Sequence, residues 1–179
     1  MIKDLSRLFK PRAAVTAGKA LYARVVDQAR TPYFYSHLGV ADTPEGRFEL
    51  YTLHTVLLVL RLKGRGARSA ETVQALFDAY LEGLDIALRE MGIGDVSMGK
   101  KMKKLGRAFY GRVGNWERAL AAPDTDELSA LIARTLYEST PQADTAPLAA
   151  YAQQAAANLT SQSDETLLQG FVDWPKVPS

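Results

Sequence analysis

Hydrophobic residues recur at three- and four-residue spacing along most of the chain, the period of helices with one apolar face. No run alternates apolar and polar residues as a half-buried strand would, and no internal repeat is visible. From Pro11 to Gln28 the pattern predicts a helix with Val15, Leu21, Tyr22, Val25 and Val26 inward, stopped by Thr31-Pro32. Tyr33, Phe34 and Tyr35 read as an aromatic loop. Asp42, Thr43 and Pro44 supply a cap and a first-turn proline for a helix running to about Lys63. Within it, Leu53–Leu60 is apolar nearly all round, which marks a buried central helix. The apolar stretch is too short for a bilayer, which needs about 20 residues, and it contains His54 and Arg61.

Ser69 is the expected N-cap of the next helix, about Ala70–Met91, with Val73, Leu76, Phe77, Tyr80, Leu81, Leu84, Leu88 and Met91 on one stripe. Gly92 reads as its C-cap. Asp95 or Ser97 caps a helix over about Met98–Ala121, whose stripe is Met98, Met102, Leu105, Phe109, Val113, Trp116 and Leu120. Helices over about Asp124–Glu138 and Pro147–Gln162 follow, and residues 163–179 read as a turn and an irregular tail. The fold class is therefore all-α: one domain over 1–179, a bundle of about six or seven helices around the buried Leu53–Leu60 segment. Residues 1–12 read either as a frayed terminus or as a short amphipathic helix on a membrane surface, with no secretory signal.

Composition narrows the chemistry. The 179 residues are 47% hydrophobic and 23% charged, which is globular, and contain no cysteine, so thiolate catalysis, iron–sulfur ligation and disulfide scaffolds are excluded. The formal charge of +2 hides strong polarisation. Residues 1–70 carry twelve basic and five acidic side chains, 71–95 one and six, 96–122 seven and one, and 123–179 two and eight.

Catalytic motifs are missing. Two histidines and no HExxH leave a zinc site without ligands, and there is no GxSxG elbow or phosphate loop. Asp78, Glu82, Asp85 and Arg89 share one helix face; such carboxylates either work as acid–base groups or form a solvated face with local pairs. His54 lies on a stripe with Arg47, Tyr51, Leu58 and Arg61, and reads as a hydrogen-bonded, semi-buried residue ahead of a ligand. Lys100, Lys101, Lys103, Lys104, Arg107 and Arg112 surround the apolar stripe of their helix. They either complement the preceding acidic helix or attract RNA, anionic lipid or an acidic protein. Gly111, inside the helix, points to a close helix crossing or a partner contact, and Tyr110 lies off the buried stripe.

Two strings, GVADTPEGRFELYTLH (39–54) and LREMGIGDVSMGKKMKKLGRAFYGR (88–112), resemble the ubiquinol–cytochrome c chaperones, assembly factors of the cytochrome bc1 complex. VLRLKGRG (59–66) and LFDAYLEGLD (76–85) lie between them in family order. The sequence departs from the family pattern at Gly83, in place of an acidic residue, and at Asn115-Trp116, in place of a Tyr-centred motif. The resemblance implies a non-catalytic helical chaperone without cofactor or metal, of bacterial type, cytoplasmic or peripheral on the inner face of the membrane. The implied client is newly made cytochrome b or its apolar segments. A ribosome near its tunnel exit and a small partner protein are further implied contacts, and DNA is not.

A groove is expected among the helices around Tyr51–Arg61, Phe77–Arg89 and Lys100–Arg112. The expected partner-binding residues are Tyr51, His54, Arg61, Lys63, Asp78, Asp85, Arg89, Asp95, Lys100, Lys101, Lys104, Phe109, Tyr110 and Arg112. The rival reading is a haem- or small-ligand-binding helical protein with His54 as the axial ligand.

Overall fold

The computed structural model describes residues 5–90, 92 and 95–177, the side chains of 5–12, 95–98 and 101 excepted. Eight helices are present among the described residues, and no strand: α1 (Leu5–Ala29), α2 (Tyr33–Ser36), α3 (Pro44–Leu62), α4 (Ala67–Glu90), α5 (Asp95–Ala121), α6 (Asp126–Thr135), α7 (Ala146–Ser161) and α8 (Asp164–Leu168). The number is one or two above the expected six or seven, and two of the eight are single turns. One, α2, forms from the expected aromatic loop and buries Phe34. The other, α8, forms within the expected tail.

The central helix is α3. The Thr43 hydroxyl accepts from the Gly46 N–H at 3.1 Å, Pro44 occupies the first turn, and Thr52–Val59 is buried without a break. Burying one Leu or Val side chain contributes about 1.5–3 kcal/mol, so this run dictates that neighbours cover it on every side. The neighbours are α1, α4, α5 and α7. Alanines 149, 152 and 155 of α7 are buried where it meets the bundle, and their small size permits close approach.

Gly66, at φ +93°, ends the α3–α4 turn early enough for α4 to start at Ala67, three residues before the expected Ala70. Ser69 is therefore not a cap. It is buried in the first turn, and its hydroxyl donates back to the Arg65 carbonyl at 3.3 Å. Gly92, at φ +83°, closes α4 as expected, its N–H bonding the Arg89 carbonyl at 2.9 Å. Met91, whose side chain was expected on the buried stripe, and Ile93–Gly94 lie outside the described residues. α1 begins at Leu5 and passes through Pro11, so the helix expected from Pro11 starts six residues earlier. The amphipathic reading of 1–12 rests on side chains outside the described set. Val15, expected inward, is 47% exposed; Ala14, Ala17 and Leu21 take the inward stripe.

The most extensive helix pair is α1 with α4. Gly18 lies against Ala75 and Leu76, and further along the pair Tyr22 meets Tyr80 edge-on at 6.3 Å and covers Gly83. The two helices thus run side by side in one direction, with α3 as the antiparallel return between them. A Cβ at Gly83 would sit 2.3 Å from the Tyr22 hydroxyl, so the glycine is tied to that ring.

The expected irregular tail is an integral layer. Ser163 caps α8 by accepting from the Thr166 N–H at 3.1 Å, Gly170 (φ +87°) lies against Ala17 and Ala20, and the Trp174 ring meets His54 edge-on at 4.9 Å. Trp174 is 9% exposed. Among the described residues no helix is long and apolar enough to cross a membrane.

Glycines in helices separate two situations. A Cβ at Gly18 would lie 2.6 Å from the Ala75 carbonyl carbon and the Leu76 nitrogen, backbone atoms that cannot rotate aside, whereas a Cβ at Gly114 meets nothing within 4 Å. Gly18→Ala is expected to lower unfolding free energy by about 1–3 kcal/mol through overpacking. Gly114→Ala is expected to raise it by about 0.5–1 kcal/mol through helix propensity. Urea denaturation of the two variants checks both signs.

Candidate functional site

A cleft of about 830 Å³ opens beside the α1–α4 pair. Its walls are Tyr22, Val26 and Arg30 from α1, Pro44, Glu45, Arg47, Phe48 and Tyr51 of α3, Gly83, Leu84, Ile86–Leu88 and Glu90 of α4, and Leu105 of α5. The apolar surface comes from Val26, Phe48, Leu84, Ile86, Ala87, Leu88 and Leu105, and charge is carried by Arg30, Asp42, Glu45, Arg47 and Glu90. A smaller hollow of about 650 Å³, lined by Arg30, Pro32, Tyr35, Ser36, Asp42 and Arg47, adjoins it.

The rim is held by polar contacts. The Arg30 Nε–H donates to the Tyr51 hydroxyl at 3.0 Å and the Arg47 Nε–H donates to Asp42 at 2.7 Å, with the Arg47 guanidinium 5.9 Å from the centre of the Tyr35 ring. Arg47 beside it holds the Asp42 carboxyl below the usual carboxylate range. The Tyr35 hydroxyl donates to the Ala29 carbonyl at 2.7 Å, at the end of α1. Burial pushes the Tyr22 and Tyr35 hydroxyls up to about 12, so both stay protonated donors. On the α5 side, Arg112 pairs with Glu49 and stacks 5.2 Å from the centre of the Phe48 ring.

The expected groove is therefore present, but displaced toward the N-terminal half of α3. Tyr51 lines it. Arg61 does not: its side chain is 7% exposed, its Nε–H donates to the Leu159 carbonyl, and an Nη donates to the Gln162 carbonyl at 2.6 Å and meets Asp164 at 2.7 Å. Arg61 clamps the end of α7 to the start of α8. His54 and Phe109 are likewise interior, so none of the three presents a surface to a partner, and each positions its helix instead. Arg61 and His54 are drawn inward by partners on α7 and at the start of α8, and Phe109 by the apolar core.

The other expected residues whose side chains are described lie exposed or half-buried at the surface. Lys63 bonds both Glu117 oxygens at 2.8 and 2.9 Å, Asp78 accepts from the Gln74 amide at 2.8 Å, and Asp85 accepts from the Arg89 Nε–H at 2.6 Å. Glu82 meets Lys19 at 3.5 Å, so the acidic face of α4 is divided among local contacts. Among the described residues no cluster of three or more His, Asp or Glu side chains is placed to hold a metal ion. Tyr110 is 62% exposed, its ring 5.4 Å from Phe77. Lys100 and Lys104 are exposed, while the side chains of Asp95, Met98 and Lys101 lie outside the described residues. Gly111 has nothing within 4 Å of a built Cβ, so no intramolecular crossing accounts for it.

Sequence reasoning missed the α1 wall. Val26 and Tyr22 were readable as apolar, but the two helices bordering the cleft are over fifty residues apart, and only their parallel pairing makes one face of them.

His54 is fully buried, with both ring nitrogens engaged. The Leu50 carbonyl, 2.8 Å from Nδ1, can only accept, so Nδ1 carries the proton; Nε2 then accepts from the Tyr151 hydroxyl at 2.7 Å. Tyr151 in turn accepts from the Gln28 amide at 3.0 Å. An axial metal bond at Nε2 requires breaking this chain and displacing Trp174 and Phe34, which meet the imidazole edge-on.

A family model described as ubiquinol–cytochrome C chaperone matches residues 36–174. A solved structure described as that of the Cbp3 homolog from Brucella abortus aligns with a TM-score of 0.86 at 36% identity, covering 98% of this chain and 97% of that one. No curated protein sequence matches the chain. The family match takes in the α3, α4 and α5 walls of the cleft and leaves out the α1 wall of Tyr22, Val26 and Arg30.

Desolvation lowers the His54 pKa from 6.5 to about 4, the Leu50 hydrogen bond acting the other way. A histidine depressed on folding contributes its full stability above the unfolded value and loses it as pH falls toward the folded one. From pH 7 to about pH 4.5 the expected loss is on the order of 2–3 kcal/mol. Urea midpoints at the two pH values measure it, and in His54→Gln that part of the pH slope disappears.

Proposed function

The chain belongs to the ubiquinol–cytochrome c chaperone family, and from that premise we propose that it binds newly made cytochrome b through the cleft between α1, α3, α4 and α5 and assists assembly of the cytochrome bc1 complex without catalysing a reaction. The observation that carries the reading is the cleft itself. Seven apolar side chains line a concave surface open to solvent, with charge at its rim. Such a surface costs solubility unless something covers it, and its chemistry suits an apolar segment with polar flanks.

The rim sets how such a segment lies. Arg30 and Arg47 stand at one end with Tyr51, while Glu90 belongs to the α4 terminus. Fixed charges of both signs around an apolar floor select the direction of a bound chain more than they add affinity. Asp85, half-buried, and Arg89, exposed, pair with each other on α4 beside the cleft and extend this polar border as orienting groups, whereas Lys63, at the other end of α3, lies away from it.

Ile86, 52% exposed, and Leu105, half-buried, can be changed with little effect on the core. Ile86→Glu combined with Leu105→Glu is expected to reduce recovery of cytochrome b with the chaperone at least about tenfold, since each buried charge in an apolar contact costs several kcal/mol. Photo-crosslinkers at Ile86 and Ala87 are expected to capture cytochrome b in cells assembling the bc1 complex, and one at Gln153, exposed on α7, is not. Equal capture at Gln153 would overturn the assignment of the cleft.

A further inference from the structure

We propose that the outer face of α5 docks on an anionic phospholipid bilayer through Lys100, Lys103, Lys104 and Arg107, with Tyr110 at the headgroup boundary. The inference stands on this surface alone and does not depend on what the cleft binds. The four cations are spaced i, i+3, i+4 and i+7, so they form one stripe about 10 Å long on a single helix face. All four are exposed and, among the described residues, have neither hydrogen-bond nor ion-pair partner. Cations elsewhere are commonly engaged, as Arg47 is by Asp42, Lys63 by Glu117 and Arg68 by Glu165. Between Asp95 and Glu117 the helix has no acidic residue at all. The acidic face of α4 therefore does not neutralise the stripe, although the two helices are consecutive.

Shape selects the partner. The stripe is the convex side of one helix, without the concave channel or paired aromatic platforms that single-stranded nucleic acid needs. Three of its four cations are lysines, compact charges suited to a diffuse field of headgroups and not to bidentate readout. Gly111 and Gly114 continue the face with nothing near a built Cβ, which leaves it low and flat. Tyr110 follows Lys103 and Arg107 at i+7 and i+3. It is 62% exposed with its ring propped on Phe77 at 5.4 Å, and a tyrosine with one apolar side and one wet end is at home at headgroup level. Each cation brought to an anionic surface contributes roughly a fivefold gain in partitioning.

The test is co-flotation of the full chain with vesicles of phosphatidylcholine alone or with about 30% phosphatidylglycerol, an anionic fraction that sets up the surface potential. The chain is expected to float with the anionic vesicles only, and to be released near 1 M salt, where the screening length falls to about 3 Å. Lys100→Ala, Lys103→Ala and Lys104→Ala together are expected to weaken binding on the order of 100-fold. Circular dichroism checks that this variant remains helical, and Lys103→Gln with Arg107→Gln gives an independent second background. Equal binding to neutral vesicles, unchanged binding by both variants, or binding to an RNA duplex with none to anionic vesicles would each overturn the proposal. The Ile86→Glu, Leu105→Glu variant is expected to keep its vesicle binding, so this result and the client result fail separately.

Discussion

A helix that is apolar around its whole circumference cannot lie on a surface, and α3 imposes that condition on everything else. Thr52 through Val59 are buried in unbroken succession, including two threonines and a histidine whose polar atoms would cost several kcal/mol if left dry. Thr52 answers with bonds to the Phe48 carbonyl and the Tyr80 hydroxyl, and His54 with Leu50 and Tyr151. The bonds of Thr52 and His54 fix the rotation of α3 about its own axis, because only one orientation brings both to their partners; the Thr55 hydroxyl is buried without one. The surrounding helices then have defined places: α1 and α4 on one flank, α7 and the tail over His54, and α5 across the remaining side.

The site follows from how that enclosure ends. Near its N-terminus α3 turns from all-round apolar to one-sided, with Phe48 and Tyr51 half-buried and Glu45 and Arg47 exposed. The flanking helices keep going past this point. The cleft is the space they leave, walled by apolar side chains that have no further helix to meet. Enclosure and opening are consequences of one sequence pattern read along its length.

Much of this was legible in the chain. The limits of α3, the stripes of α4 and α5 and the proline and glycine stops are local, and periodicity reports local geometry. The strings at 39–54 and 88–112 pointed to the chaperone family that residues 36–174 then matched. What escaped was tertiary. Arg61 lies on an exposed-looking stripe until the chain returns nearly a hundred residues later to bring Leu159 carbonyl oxygen to its Nε–H. Trp174, in a segment without periodicity, is drawn in by the His54 ring. Ser69 looked like a cap because capping residues are recognised by type, whereas Gly66 had already allowed the helix to begin. The wall made by Tyr22, Val26 and Arg30 needed the parallel pairing of α1 with α4, which no single-window pattern contains.

That parallel pairing has an electrical side. Two helices running in one direction finish at the same end, so the carbonyl termini of α1 and α4, near Ala29 and Glu90, both lie toward the cleft, and the amide terminus of α3 at Pro44 faces them. Each terminus carries roughly half an elementary charge, two negative against one positive. Arg30 at the mouth opposes this surplus, whereas Arg47 is paired with Asp42 and adds little to it. The cleft thus has a built-in polarity along its axis that would persist even if every ionisable side chain around it were neutral.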